Sequence, residues 1–182
     1  MTSPDGSLTG GDIRLEPLTA QHAAAMDALA RDTDVARFTR IPEPTPDDFG
    51  AVWVERYTRG RKEGTNAGFA IVDSESGEFL GFVAIVRLDL DTQEAEAGYM
   101  VASRARGRGV ATRSLRLLTA WAFEEFPLER IELLIDTENA ASEVVAQRSG
   151  YTREGVLRWT YLKPGLRSDT IVYSKLRREH DS

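Results

Sequence analysis

Apolar positions along the chain follow two periods, and each period predicts one type of secondary structure. Apolar residues that alternate with polar ones, or short apolar runs bounded by turn residues, predict strands, whereas apolar residues three and four positions apart predict helices. The strand pattern covers seven segments, at residues 12–17, 67–72, 79–88, 93–101, 130–136, 151–162 and 170–175. The helical pattern covers four segments, at residues 19–31, 46–62, 109–125 and 139–149. The chain is therefore predicted to be a mixed α/β protein.

Length and composition are those of one globular domain. The chain has 182 residues, of which 41% are hydrophobic and 29% are charged, and no apolar run approaches the roughly 18 residues of a membrane span. Residues 12–178 are predicted to form this domain, after a disordered leader at 1–11 and before a short tail at 179–182. The leader lacks the basic and apolar parts of a signal peptide. We therefore expect a cytoplasmic protein without a membrane partner.

The content of cysteine and histidine excludes several kinds of chemistry. The chain has no cysteine, so disulfides, thiolate metal sites and cysteine nucleophiles are excluded. His22 and His180 are the only histidines and lie near opposite ends of the chain, so no metal site is expected. A net charge of −6 argues against general binding to nucleic acid. Chemistry on this chain must use carboxylates, hydroxyls and backbone groups.

One stretch, residues 93–112, combines a strand, a tight turn and the start of a helix. The turn at residues 104–109 holds three arginines and two glycines. The first backbone N–H groups of a helix lack intrahelical partners, and together with the helix dipole they form an anion site. Glycines let the backbone close around a phosphate, and arginines add charged donors. The stretch predicts a site for a diphosphate-bearing cofactor, with a solvated turn or a nucleic-acid module as the alternatives.

The turn reads R-x-x-G-x-G, which resembles the acetyl-CoA signature of the GCN5-related N-acetyltransferases. Three further motifs stand in the order found in that family: E-A-G-Y at 96–99, N-x-x-S at 139–142 and S-G-Y at 149–151. Residues 155–169 resemble the branch that contains the ribosomal-protein N-terminal acetyltransferases, and the whole resemblance runs from residue 13 to 178. It implies acetyl-CoA as the cofactor. It also implies a three-layer αβα fold with a mostly antiparallel, splayed central sheet, which agrees with the seven strands and four helices predicted above.

The resemblance assigns cofactor binding to residues in and around the turn and in the later N-x-x-S motif. This set is Met100, Val101, Arg104, Arg106, Gly107, Arg108, Gly109, Val110, Ala111, Thr112, Asn139 and Ser142. The backbone at Gly107 and Gly109 is the safest part of the assignment, because the three arginines need not all touch phosphate. Asn139 either orients the pantetheine arm or only caps the helix that follows it.

Two side chains are candidates for the chemistry of acetyl transfer. The resemblance aligns Glu96 with an acid of this branch, and a carboxylate there can remove the amine proton directly or through water. The alternative is a strand glutamate that faces solvent. Many relatives use a tyrosine to serve the departing thiolate, but this chain has Ala146 at that position. The branch places a serine three residues after the asparagine instead, so Ser142 is predicted to donate a hydrogen bond there, with water or Tyr151 as the alternative donor.

The acceptor is expected to be a primary amine held between two loops, residues 38–46, which contain three prolines, and residues 161–169. Neutralising a lysine of pKa about 10.4 at pH 7 costs roughly 4.6 kcal/mol, against about 1 kcal/mol for an α-amino group of pKa about 7.8. A single glutamate is better suited to neutralising an α-amino group, and the branch resemblance also indicates an α-amino group as the acceptor. A protein or peptide α-amino group is therefore predicted. Small amines such as aminoglycosides, and an acyl-CoA-binding module without turnover, remain alternatives, and both a monomer and a homodimer are compatible with the sequence.

Overall fold

The central feature of the fold is an eight-stranded sheet, seen in a computed structural model that describes residues 6–180. The strands are β1 (Leu8–Gly10), β2 (Ile13–Pro17), β3 (Ala67–Asp73), β4 (Phe79–Asp89), β5 (Glu94–Val101), β6 (Arg130–Asp136), β7 (Thr152–Lys163) and β8 (Leu166–Leu176). The helices are α1 (Ala23–Ala30), α2 (Thr33–Phe38), α3 (Phe49–Glu63), α4 (Val110–Glu125), α5 (Ala140–Arg148) and α6 (Arg177–His180). Short 3₁₀ helices, Ala20–His22 and Ser103–Ala105, precede α1 and α4. Residues 1–5 of the predicted leader and 181–182 of the predicted tail lie outside the described residues.

One pair of neighbouring strands in the sheet is parallel, and the sheet opens where these two strands separate. The strands lie in the order β1-β2-β3-β4-β5-β6-β8-β7, in which β5 and β6 are parallel and the other neighbours antiparallel. β5 and β6 pair at three positions, and the last of them joins Glu96 to Glu132. β5 continues to Val101 with no strand beside it on that edge within residues 6–180. The predicted mostly antiparallel, splayed sheet is confirmed.

Helices cover both faces of this sheet, and the alternating side chains of β5 show how. Ala95 and Ala97 are buried in one cluster with Leu118 of α4. Met100 points to the other face, where it is buried with Tyr57 of α3. Since successive side chains of a strand lie on opposite faces, one strand contributes to both layers of core. The predicted αβα arrangement is therefore confirmed.

The structure contains elements that the apolar pattern does not predict. β1 lies inside the segment predicted as a disordered leader, and it pairs with β2. The described residues therefore contain eight strands instead of the seven predicted. α2 follows Asp32, whose carboxylate accepts hydrogen bonds from the backbone of Asp34 and Val35. Val35 is the buried residue of this six-residue helix, so no helical apolar stripe marks it in the sequence. Within residues 6–180, no helix combines the length and the apolarity needed to cross a bilayer.

Candidate functional site

The turn before α4 leaves the N-terminus of that helix open. Gly107 and Gly109 both have a φ of +73°, in the left-handed region that disfavours residues with a Cβ. Gly109 is the N-cap residue, no side chain caps the helix, and its first turn contains no acid. The backbone N–H groups of Val110, Ala111 and Thr112 therefore lack intrahelical acceptors and lie at the positive end of the helix dipole. This end of α4 fits an anionic group.

Arg104 and Arg108 differ in what their guanidinium groups contact. Arg104 donates to Glu78 Oε1 at 2.5 Å and to the carbonyl oxygen of Phe79 at 2.8 Å, so it fastens the turn to the start of β4. Arg108 makes no side-chain hydrogen bond or ion pair with residues 6–180 and acts only at a distance on Asp73. The guanidinium of Arg108 is therefore open to a ligand at this turn.

Arg106 connects the turn to two other parts of the chain. Its guanidinium lies 2.7 Å from Asp32 and 2.8 Å from Asp34, and its Nε donates to the carbonyl oxygen of Val101 at 3.2 Å. Burial raises the pKa of Asp32, but the hydrogen bonds from Arg106 and from the backbone of Val35 and Asp34 outweigh burial, so this pKa is lowered. Arg106 thus joins the end of β5 to the start of α2.

The free edge of β5 lies between the turn and the point where the strands diverge. Val101 still pairs with Gly81 of β4, so β4 supports this part of β5 from one side. The side chain of Met100 is buried in the core between the sheet, α1 and α3, so only the backbone of this residue can contact a ligand at the edge. An extended ligand with amide groups can pair with such an edge as an added strand does.

Glu96 occupies the last position at which β5 and β6 pair. Its side chain is 12% exposed, and its Oε1 lies 3.0 Å from Nη2 of Arg40. Burial raises the pKa of Tyr57 to about 12, and the charge of Glu96 contributes to that rise, which places the carboxylate on the α3 side of the sheet. The carboxylate is therefore largely shielded from solvent, with a cation from the proline-rich loop beside it.

Asn139 and Ser142 lie at the start of α5. Oδ1 of Asn139 accepts a hydrogen bond from the backbone N–H of Ser142 at 3.1 Å, so Asn139 caps the helix, while its second predicted role, toward the cofactor, stays a prediction. Ala146, where many relatives carry tyrosine, is fully buried. Tyr151 is buried with its hydroxyl 2.7 Å from Oγ1 of Thr119. The hydroxyl of Tyr151 is thus already paired inside the core and does not serve as the alternative donor.

Tyr99 of β5 was not predicted as a site residue, although it packs against the core cluster that contains α4 residues. Its hydroxyl is buried and has no hydrogen-bond partner among the described residues. Burial raises the pKa of Tyr99 to about 12, and the hydroxyl of Ser142 offsets part of that rise. Alternation along β5 puts Tyr99 on the same face of the sheet as Ala95 and Ala97.

Residues 161–169, predicted as a loop, are instead the adjoining ends of β7 and β8 around a turn at 164–165, and they contact the proline-rich loop. Lys163, at the end of β7, donates to the carbonyl oxygen of Ala36 at 2.8 Å and to the carboxylate of Glu43, and its side chain is 5% exposed. A cavity of about 530 Å³ opens beside this contact, and its charged lining consists of Arg31, Arg37, Lys163 and Glu43. The two predicted catalytic residues do not line this cavity. The charged lining of this cavity is therefore more basic than acidic.

Comparison with known proteins identifies the family. The sequence profile of the family described as "Acetyltransferase (GNAT) domain" matches residues 12–152, which is more than half of the chain. The chain belongs to the GNAT acetyltransferase family. It is an N-acetyltransferase with acetyl-CoA as its cofactor, as the resemblance implied. The open end of α4 and the free edge of β5 fit the anionic and the amide-bearing parts of that cofactor.

The GNAT relatives include proteins with protein and small-molecule ligands. YdaF of Bacillus subtilis, whose name assigns it provisionally to the ribosomal N-acetyltransferases, is 34% identical over 103 residues, which are 57% of this chain and little more than half, 56%, of YdaF. RimL, a ribosomal L7/L12 α-N-protein acetyltransferase solved with coenzyme A, superposes with a TM-score of 0.84 at 19% identity over 93% of this chain and 97% of RimL. The microcin C7 self-immunity acetyltransferase MccE, solved with acetyl-CoA and AMP, gives a TM-score of 0.86 at 20% identity over 96% and 98% of the two chains. The two structures share the fold with this chain.

Proposed function

We propose that this GNAT enzyme acetylates the α-amino group of a protein or peptide. The observation that carries the proposal is the shielded carboxylate of Glu96, located where β5 and β6 diverge. Neutralising an α-amino group at pH 7 costs about 1 kcal/mol, whereas a lysine costs roughly 4.6 kcal/mol. A single carboxylate acting as the base suits the smaller free-energy cost, that of the α-amino group. Residues 12–178 form the domain that carries the activity, and a cytoplasmic location is part of the proposal because the chain contains no cysteine.

We assign different steps of the reaction to Glu96 and to Ser142. Glu96 accepts the amine proton, directly or through one water, after the acceptor nitrogen has displaced Arg40. When bound, acetyl-CoA would supply the thioester whose acetyl group passes to the amine, with coenzyme A as the leaving thiolate. Ser142 donates a hydrogen bond at the place where the thiolate charge develops, and Asn139 fixes the helical turn that carries Ser142. No covalent enzyme intermediate is required, which suits a chain without cysteine.

The same proposal assigns the cofactor to the turn and to the free strand edge. Gly107, Arg108 and Gly109, together with the N–H groups of residues 110–112, contact the diphosphate, and the backbone of Met100 and Val101 contacts the pantetheine arm. Arg104 and Arg106 hold the turn in place through their acidic partners, as their ion pairs indicate. Binding of the cofactor therefore depends on backbone shape first and on the charge of Arg108 second.

We assign the cavity beside Lys163 to the carrier of the amine, because the proposed catalytic residues do not line it. Its charged side chains are Arg31, Arg37, Lys163 and Glu43, and with Glu138, the partner of Arg37, they sum to +1, which favours an uncharged or anionic carrier over a polyamine. RimL is named for an α-N-acetylation of a ribosomal protein, and MccE was solved with AMP, an anionic small molecule. A small amine on an anionic carrier is the second candidate, and the MccE likeness is the observation that favours it.

A panel of acceptors tests the proposal, with release of the coenzyme A thiol as the signal. The panel pairs a peptide that has a free α-amino group with its α-acetylated twin that retains one internal lysine, and adds spermidine, an aminoglycoside and an aminoacyl nucleotide analogue. The difference of about 3.5 kcal/mol in neutralising the two amines predicts a kcat/KM for the free peptide roughly 400-fold above that of its twin. A higher kcat/KM for the nucleotide analogue would favour the second candidate. Preference for spermidine would contradict the proposal.

A further inference from the structure

We propose that Arg106 is a positioning residue for the proline-rich loop at residues 38–46. Arg106 belongs to the turn before α4, but its guanidinium holds α2, and α2 leads directly into that loop. The inference rests on the proposed function, in which the acceptor binds between this loop and the turn that joins β7 to β8. Arg106 itself contacts neither substrate and acts through α2.

The contacts of Arg106 use all three nitrogen atoms of its guanidinium group. Nη2 lies 2.7 Å from Asp32 and Nη1 lies 2.8 Å from Asp34, both at the start of α2. Nε donates to the carbonyl oxygen of Val101 at 3.2 Å. The two carboxylates outweigh the single positive charge of Arg106, so this group attracts a diphosphate less than the guanidinium of Arg108 does. The donors of Arg106 therefore connect α2 to the end of β5.

The position of α2 depends on polar contacts. Val35 is the one buried side chain among the six residues of this helix, and so short a helix is not stable by itself. At its C-terminal end, Lys163 donates to the carbonyl oxygen of Ala36 at 2.8 Å, and Arg37 lies 2.6 Å from Glu138. At its N-terminal end the ion pairs of Arg106 fix the first turn.

The functional residue that α2 positions is Arg40. Arg40 follows Phe38, the last residue of α2, by two positions, so the two Cα atoms lie within about 8 Å of each other. From there Arg40 pairs with Glu96 at 3.0 Å. Arg106 and Arg40 thus attach one segment to β5 at Val101 and at Glu96, the two ends of its free edge. When an acceptor amine displaces Arg40, the contacts of Arg106 still hold the segment against β5.

Without Arg106, the loop would occupy arrangements in which the acceptor cannot bind. The apparent affinity for the acceptor then falls in proportion to the binding-competent fraction, whereas the rate of the bound complex changes little. One exposed ion pair contributes up to about a fivefold factor to an equilibrium, so losing two predicts an acceptor KM about five- to twentyfold higher. The Kd of acetyl-CoA should change by less than about threefold, because Arg104 still fastens the turn to Glu78.

Kinetics of matched variants test this role with the acceptor that gives the highest kcat/KM in the panel above. Arg14→Gln is the control for Arg106→Gln, because the ion pair of Arg14 with Glu16 has similar exposure but lies on β2. At saturating acetyl-CoA, Arg106→Gln alone should raise the acceptor KM, with kcat within about twofold of the wild type. An unchanged KM would overturn the inference. An unchanged KM with a raised Kd for acetyl-CoA would identify Arg106 as a phosphate ligand instead.

Asp32→Asn tests whether Arg106 acts through α2. Asparagine caps a helix as well as aspartate does, so this variant keeps the cap and removes the charge that Arg106 contacts. Asp32→Asn should therefore raise the acceptor KM by itself and add little to Arg106→Gln. Additive effects of the two substitutions would contradict the route through α2. If Arg106→Gln does not fold, an acceptor KM unchanged in Asp32→Asn would overturn the inference.

Amide hydrogen exchange of the protein without ligands separates the inference from the proposed function. Residues 33–41 should exchange faster in Arg106→Gln than in the wild type and in Arg14→Gln, because α2 opens more often. Equal exchange in the three proteins would overturn the inference whether or not an acceptor is turned over. A wild-type protein inactive toward every amine would refute the proposed function. An active wild type with an unchanged acceptor KM in Arg106→Gln would refute only the role of Arg106.

Discussion

Arg40 Nη2 lies 3.0 Å from Glu96 Oε1, and this ion pair joins the proline-rich loop to the strand that leaves the sheet. The side chain of Arg40 is 47% exposed and that of Glu96 is 12% exposed, so solvent reaches the cation more easily than the carboxylate. In the mechanism proposed above, an acceptor amine replaces the guanidinium before Glu96 takes its proton, and the loop that carries Arg40 takes part in acceptor binding.

Replacing Glu96 tests its role as the base. Glu96→Gln keeps the shape of the side chain but cannot accept the proton, so kcat at pH 7 should fall by roughly 10²–10⁴-fold. The variant should regain rate as the pH approaches the pKa of the acceptor amine, because the amine is then neutral without help. Acetyl-CoA affinity, measured by calorimetry, should be unchanged. Full turnover of Glu96→Gln at pH 7 would remove this residue from the mechanism.

Replacing Ser142 tests the hydrogen bond to the thiolate. A hydrogen bond to a charged group contributes about 1.5–3 kcal/mol, so Ser142→Ala should slow the single-turnover rate by about ten- to a few hundredfold. Affinity for acetyl-CoA should fall much less, since the thiolate charge develops mainly in the transition state. Ser149→Ala is the matched control, because Ser149 follows the same helix and its buried hydroxyl lacks a hydrogen-bond partner among the described residues. Equal rates for both variants would argue against a role for Ser142.

Two glycines with the same backbone conformation test the phosphate-binding turn. Gly107 has a φ of +73° and Gly77 a φ of +72°, and a Cβ at either position would meet no atom within 4 Å. Gly107→Val and Gly77→Val should therefore carry similar strain and similar melting temperatures without ligand. Acetyl-CoA at a hundredfold excess over Kd stabilises a fold by about 2.7 kcal/mol. This stabilisation should disappear in Gly107→Val and persist in Gly77→Val, and its persistence in both would contradict the assigned site.

The different contacts of Arg104 and Arg108 predict different effects on cofactor affinity. Losing a charge-assisted contact to phosphate costs about 1.5–3 kcal/mol, so Arg108→Ala should raise the Kd of acetyl-CoA by about ten- to a hundredfold. Arg104 already holds Glu78 in an exposed ion pair, which is worth about 1 kcal/mol or less. Arg104→Ala should therefore change the Kd by less than about fivefold. Calorimetric titrations of the two variants decide between the arginines, and the reverse order would show that Arg104 is the phosphate ligand.

His22 predicts a dependence of stability on pH. Burial lowers the pKa of His22, against partial opposition from Glu16 and Thr19, and the backbone N–H of Thr19 donates to its Nδ1 at 3.1 Å. The unfolded chain, with a pKa of about 6.5, then binds more protons than the folded chain near that pH. The stabilisation is thus fully present above about pH 6.5 and is lost as pH falls through the lower folded value. Urea unfolding between pH 5 and 7.5 should show this loss in the wild type and a flatter profile in His22→Gln, and parallel profiles would contradict it.

The parts of the site that depend on neighbouring residues could be predicted from the sequence, and the parts that depend on distant residues could not. The open end of α4 follows from local turn chemistry, so Gly107 and Gly109 were identifiable without a structure. The contact of Arg106 with Asp32 spans 74 positions, and no periodicity encodes it. The ion pair between Arg40 and Glu96 joins a proline-rich loop to a strand that lies beside it only in the folded chain, and the apolar pattern of neither segment contains it.

The divergence of β5 from β6 also leaves the sheet incomplete. Beyond Glu96, the edge of β5 that faces away from β4 carries peptide groups for which no strand among the described residues supplies partners. Backbone groups in folded proteins nearly always find a partner, so at this edge water or a ligand must take the place of the missing strand. A bound pantetheine arm that fills this place would protect the outward N–H groups of residues 97–101 from exchange with solvent deuterium. Each catalytic cycle would then close this part of the sheet when acetyl-CoA binds and reopen it when coenzyme A leaves.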